Sequence, residues 1–516
     1  MRDRRGSSIL DTARVPGARF AQLEATIDEL RAEMAAGRLT ARALTAAYIR
    51  RIRAIDQSGP SLRSVLELNP DALAIAAALD QEHGAGGSRG PLHGVPVLLK
   101  DNIATGDRMA TTAGSLAMAG VQAARDAHLV KRLRDAGAVI LGKTNMSEWA
   151  NMRSTRSTSG WSAIGGLTRN PYALDRNASG SSSGSAVAIA ASFAAVAVGT
   201  ETDGSIVSPA SINGLVGIKP TVGLVSRDGI IPISHTQDTA GPMARTVADA
   251  AALLSAIAGP DARDAATADA QPTDYTRCLD EDRIAGARLG VVRAAFGAHP
   301  GVDEVIERAL ATLRARGALL VDPVELGHAD DLADAELEVL LHECKQGLPA
   351  WLAEFAPDAP VTTLNDVIAW NERHRDTEMQ WFGQELFEQA EGRGGLTDPI
   401  YLDALARCSR LARDEGIDRA LAEHRLDALV APTGGPAWLT DLVNGDRYTG
   451  GFSSPAAVAG CPHVTVPAGF VHGLPIGLSF VGPAWSEPLL IGLGYAFEQA
   501  TRARQPPTFV PSVRAR

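Results

Sequence analysis

Cysteine is scarce in this chain, and its spacing pairs none of it. Cys278, Cys344, Cys408 and Cys461 lie more than fifty residues from one another, with no CxxC pair and no histidine at zinc-finger spacing. That pattern excludes a disulfide scaffold and a zinc ribbon, and reads as ordinary thiols in a reducing compartment. A basic excess is also missing: 49 Lys and Arg stand against 60 Asp and Glu, a formal charge of −11. Faces that bind nucleic acid are basic, so no nucleic-acid partner is expected. No uninterrupted apolar run reaches the roughly 18 residues of a membrane span. The first twenty residues carry no apolar core, so Arg4 and Arg5 do not make a secretion signal, and a cytoplasmic location with no membrane partner is expected. No period of about 20 to 50 residues announces a repeat protein.

What the chain does have is the means to bury a large core: 516 residues, 45% hydrophobic and 21% charged. Its organising stretch is Ser179 to Ser205, "SGSSSGSAVAIAASFAAVAVGTETDGS". A small-residue turn leads into a helix from Ser183 or Gly184 to about Phe193, then a strand at Ala195 to Val198, then a second Gly-Ser turn. Helix followed by strand returns the chain, which puts both serine-bearing turns at one end of the fold. Gly184 and Gly204 remove Cβ atoms where a backbone must come close to a ligand or adopt positive φ. A flexible linker of the same composition would join domains, whereas an apolar run follows here immediately.

The other elements follow from caps and periodicity. Thr26 with Glu29 is a capping box for a helix to about Ala36, and Thr40 caps a helix burying Leu44, Tyr48, Ile52 and Ile55. A helix spans Asp71 to about Glu82, and "GVPVLLKDN" makes a strand that delivers Lys100 to a polar turn. A helix at Ala127 to Ala136 and a strand at Val139 to Leu141 come next. "GAVILGKT" fits the P-loop pattern in letters only, because its middle is an apolar strand rather than a Gly-rich turn. "GSSSG" fits the nucleophile elbow with Ser182 as nucleophile, but a polar, turn-like segment precedes it instead of a strand. After Ser205 come short strands and turns up to a helix at Val247 to Ala258. Charged amphipathic helices at Asp303 to Arg316, Leu332 to Glu354 and Asn365 to Glu391 then surround one strand near Leu319. A helix at Asp418 to His424, a strand in "LDALVAPT", a hairpin turning at His472 and Gly473 at the edge of the sheet, and a helix at Glu487 to Thr501 complete the chain. His463 reads as a structural histidine at a strand start.

A lysine and two serines can hydrolyse an amide without histidine when the lysine is neutral and a serine bridges it to the nucleophile. Burial must then depress the lysine, since an ammonium has no lone pair to accept a proton. Lys100, Ser181 and Ser205 are the residues available. "GVPVLLKDN", "SGSSSGSAVAIA", "GTETDGSI" and "GIKPTVGLVSRDGIIPISHTQDTAGPMA" together resemble the amidase signature family over most of the chain. "GWSA", "GLVSRDGIIPIS" and "GLPIGLSFVGPAWSEP" resemble its bacterial peptide amidases most.

The resemblance implies one large α/β domain, a central mixed twisted β-sheet covered by helices on both faces. Within it, residues 1–85 would form a helical cover, 86–258 the catalytic core, 259–416 a helical, lid-like insertion and 417–516 the rest of the sheet with a closing helix. It also implies Lys100 as base, Ser181 as bridging serine in a cis peptide and Ser205 as nucleophile, with an oxyanion hole from the N–H groups of Thr202, Asp203, Gly204 and Ser205. Expected activity is removal of C-terminal carboxamides from peptides as ammonia, through an acyl-enzyme. The alternatives are a broader aryl or fatty-acyl amidase and a glutamine-hydrolysing subunit of a tRNA-dependent amidotransferase. No metal, cofactor or obligatory protein partner is implied. The commoner family form "DTGGSIR" is here "ETDGSIV", so Glu201, Asp203 and Val207 depart from it.

Overall fold

The computed structural model describes residues 22–327 and 329–513; Arg4 and Arg5 lie outside them. Thirteen strands form in chain order: β1 (Val65–Leu68), β2 (Pro96–Lys100), β3 (Val139–Thr144), β4 (Trp161–Ser162), β5 (Gly166–Leu167), β6 (Val196–Glu201), β7 (Val216–Lys219), β8 (Thr239–Ala244), β9 (Arg288–Val291), β10 (Leu319–Val321), β11 (Ala428–Pro432), β12 (His463–Val471) and β13 (Leu474–Val481). All but the small β4–β5 pair join one eleven-stranded sheet in the order β1-β3-β2-β6-β8-β7-β12-β13-β11-β9-β10. The sheet is mixed: β3, β2 and β6 run parallel, as do β11, β9 and β10, while the hairpin and its neighbours are antiparallel. β2, β3, β6, β8, β11 and β13 are buried at every residue, the pattern of strands covered on both faces. The main apolar cluster runs from Ile27 to Phe497, and three smaller ones stand beside it, around Val292 and Val481, around Tyr172 and Trp438, and around Ala335 and Tyr401.

Local signals in the sequence did their work at many helix ends. Thr26 and Glu29 make the reciprocal capping box on Ile27–Ala35, Thr40 caps Ala41–Arg51, and Thr246 caps Val247–Ile257. Asp418–His424 and Glu487–Thr501 form as expected.

Four expectations are corrected. The hairpin β12–β13 lies inside the sheet rather than at its edge, because β13 pairs with β11 and β12 with β7. Two strands instead of one occur in 259–416, since β9, short and opened by an arginine, carries no alternation to reveal it; both β9 and β10 extend the sheet. The stretch 364–391 is three helices, Leu364–Arg373, Arg375–Glu378 and Glu385–Glu391, broken where Glu378 and Phe382 turn inward toward buried Arg153. A short helix, Val207–Ile212, follows Ser205 directly, with Pro209 in its first turn.

Candidate active site

The helix after the first serine turn is Ser183–Ala190, shorter than expected, and β6 returns from it to Glu201. The two turns therefore meet: Ser182 N–H donates to Ser205 O at 3.2 Å. Parallel pairing of β2 with β6, with Leu99 opposite Val198, brings the end of β2 to the same place. Lys100 is fully buried there. Its Nζ lies 2.7 Å from Ser181 Oγ, 3.0 Å from Thr200 O and 2.9 Å from Thr200 Oγ1. Burial pulls the lysine down to about 7, against a smaller upward pull from the Asp238 and Glu201 carboxylates.

Ser181 follows a cis peptide bond from Gly180. A Cβ on Gly180 would stand 2.2 Å from Ser147 Oγ, so only glycine fits beneath this turn. Ser147 N–H in turn donates to Ser181 O at 3.1 Å. The second turn, Thr202 to Ser205, is held at several points. Glu201 Oε2 accepts from the N–H groups of Ile206 (2.6 Å) and Val207 (3.0 Å), Thr202 Oγ1 donates to Asp238, and Ser454 Oγ donates to Asp203 at 2.6 Å. Gly204 sits at φ +75°, the region that favours glycine. Among the described residues, the N–H groups of Asp203, Gly204 and Ser205 have no protein acceptor. Ser205 itself is 7% exposed.

The competing motifs fall away on the same geometry. Lys143 of "GKT" lies in β3, buried, with Nζ donating to Ile103 O (2.6 Å) and Thr111 Oγ1 (2.9 Å). Ser182 Oγ is fully buried and bonded to the Thr200 backbone at 3.0 and 3.2 Å. His463 opens β12, shares a 2.6 Å contact with Ser479, and is pushed down to about 3 by burial and by Lys219, so it is neutral.

Sequence reasoning missed Thr200, Asn102, Asp238, Gln237 and Glu336. Gln237 Nε2 bridges Glu336 (2.8 Å) and Thr202 O (3.4 Å), and burial together with Asp203 raises the Glu336 carboxyl well above the usual range. Thr200, Asn102, Gln237 and Asp238 lie inside the quoted motifs, where nothing local marked their contacts; Glu336 reaches the site only through tertiary packing.

Buried Lys100 and Ser181 beside the Ser205 turn, whose N–H donors lack a protein acceptor, make an arrangement suited to acyl transfer from an amide. Residues 43–491 match the family described as Amidase, and the chain belongs to the amidase signature family, a family of amide-hydrolysing enzymes. It is 55% identical to the native peptide amidase from Stenotrophomonas maltophilia, with a TM-score of 0.92 over 95% of this chain and 99% of that one. A probable amidase of Arabidopsis thaliana is 44% identical over 503 residues, 95% of this chain and 93% of that protein. The glutamyl-tRNA(Gln) amidotransferase of Chloroflexus aurantiacus has a subunit that is 37% identical over 495 residues, 92% of this chain and 96% of that one.

Proposed function

We propose that the protein removes the C-terminal carboxamide of peptides, giving the free acid and ammonia, with Lys100, Ser181 and Ser205 as its catalytic residues. The observation that carries the reading is the 2.7 Å contact between Ser181 Oγ and a buried lysine brought down to about 7. Ser205 Oγ attacks the carbonyl carbon, its proton passes to Ser181, and the Ser181 proton passes to the lysine lone pair. The oxyanion lies against the N–H groups of Thr202, Asp203, Gly204 and Ser205. As the C–N bond breaks, the same relay runs backward and the nitrogen leaves as ammonia. Water then attacks the Ser205 ester, its proton taken by the relay, and the acid departs. No metal or cofactor takes part, and a single chain working in the cytoplasm suffices. Among the described residues no helix is long and apolar enough to cross a membrane.

The peptide carboxamide, rather than an aryl or fatty amide, is favoured by the 55% identity and near-complete overlap with a peptide amidase. The amidotransferase relative, at 37% identity across nearly its whole length, supports a second reading as the glutamine-hydrolysing component of such an enzyme. Ammonia release by the purified chain alone from peptide amides, glutamine, anilides and fatty amides separates them. Peptide amides are expected to show the highest kcat/KM, and silence until a partner, ATP and tRNA are added would sink the proposal. A fluorophosphonate is expected to label Ser205; labelling at Ser182 would assign the nucleophile elsewhere.

A further inference from the structure

We propose that Thr200 is a positioning residue for Lys100, a role that rests on the relay described above: its carbonyl and hydroxyl oxygens hold Nζ against Ser181 and receive the ammonium formed when the proton arrives. A protonated lysine has three N–H bonds to place and no lone pair. Around Nζ there are three oxygens at bonding distance: Ser181 Oγ (2.7 Å), Thr200 Oγ1 (2.9 Å) and Thr200 O (3.0 Å). Thr200 supplies two of them. Among the described residues no carboxylate is bonded to the amine: of the facing acids, Asp238 bonds elsewhere with both oxygens and Glu201 with Oε2, while Glu201 Oε1 is buried without a partner. Asp238 accepts from Thr202 and the N–H groups of Ile233 and Ser234, and Glu201 from Ile206 and Val207. Asp101, next along the chain, accepts from Thr112 and the Gly114 N–H and faces Lys143.

The hydroxyl is well suited to an amine that changes protonation. A threonine oxygen accepts from the ammonium and can turn its own proton toward the neutral amine, which a carbonyl cannot do. Asn102 Nδ2 donates to the same oxygen at 2.9 Å and fixes it in place. Thr200 is also anchored on both sides of its peptide, its N–H to Ser182 Oγ (3.2 Å) and its O shared between Lys100 and Ser182 Oγ (3.0 Å). Ser182, the decoy of the nucleophile motif, thus buttresses the lysine's support.

The test compares Thr200→Val, which keeps shape and loses the hydroxyl, with Thr200→Ser, which keeps the hydroxyl; Thr200→Ala replaces the valine variant should that one fail to fold. Losing an acceptor weakens the charged lysine more than the neutral one, so the acidic limb of kcat/KM is expected to move to lower pH. The plateau is expected to fall about tenfold in kcat with KM unchanged, the size of one hydrogen bond in the transition state. Thr200→Ser should return both toward wild type. A limb that stays in place, or one that shifts in the serine variant as far as in the valine variant, overturns the proposal. Lys100→Ala in the same assay separates the two layers: if it keeps wild-type turnover, the relay itself is wrong. If it is inactive while Thr200→Val matches wild type, only the role of Thr200 is lost.

Discussion

Two lysines, Lys100 and Lys143, are buried completely at the ends of adjacent parallel strands, β2 and β3. Leu99 is the register partner of Lys143, so the two amines leave opposite faces of the sheet. Burial lowers both, Lys100 to about 7 and Lys143 to about 8. The difference lies in what each touches. Lys143 donates to a carbonyl and to Thr111, with Asp101 as its countercharge. Lys100 touches Ser181, which stands beside the Ser205 turn. Burial alone makes an amine reluctant to be charged; the proposed base differs in having a neighbour that can pass the proton on.

The sharpest way to break the comparison is to change each lysine in turn. Lys100→Ala is expected to lower kcat by roughly 10² to 10⁴, the range of general acid-base catalysis, and to abolish the acidic limb of the pH profile, with the melting transition retained. Lys100→Arg should fail equally, because a guanidinium cannot give up its proton. An arginine variant with near-full turnover would make Lys100 structural, like its neighbour. Lys143→Met should do the reverse. It removes the donor to Ile103 O and Thr111 Oγ1 and leaves nearby Asp101 without its countercharge, at an expected cost of about 3 kcal/mol in denaturant unfolding, while the folded fraction keeps kcat within a few-fold. Loss of catalysis without loss of stability would erase the contrast.

Smaller effects sharpen it. Each lysine has a folded pKa below the ordinary 10.5, so between that value and its own the unfolded chain binds the extra proton. Stability then rises with pH across the window, and is lost as pH falls toward about 7 for Lys100 and about 8 for Lys143. Lys143→Met should flatten the slope only from about pH 8 upward; an unchanged slope at pH 9 would mean that the amine is not titrating there. The smallest effect belongs to Ser182→Ala, expected to cost about 1 kcal/mol of stability for its bonds to Thr200 and to leave fluorophosphonate labelling intact.

The gathering of Lys100, Ser181 and Ser205, the proposed catalytic trio, was legible because each residue lies in a local signal: a strand end, a Gly-Ser turn before a helix, a Gly-Ser turn after a strand. Helix caps at Thr26 and Thr40 were legible for the same reason, since each bond closes within three residues. Gln237 and Glu336 were not, because nothing local connects a turn before β8 with a helix a hundred residues later. Nor was the inner position of β12–β13: alternation and a His-Gly turn announce a hairpin but say nothing of which strands flank it. β9 stayed hidden because four residues, RLGV, are too few to show a period. That peptide's partner, β11, lies more than a hundred residues downstream.

The place of β11, β12 and β13 in the sheet also governs how the polypeptide can assemble on the ribosome. β1, β2, β3, β6, β7 and β8 come from residues before 245 and can pair among themselves, whereas β9 and β10 have only each other until residues 428–481 arrive. These last strands are the keystone between two blocks made long before them. Vectorial synthesis therefore leaves β9 and β10 with a bare edge for the time needed to translate over a hundred codons. A chain without residues 428–481 would hold two unjoined half-sheets, with an open edge of the kind that templates aggregation.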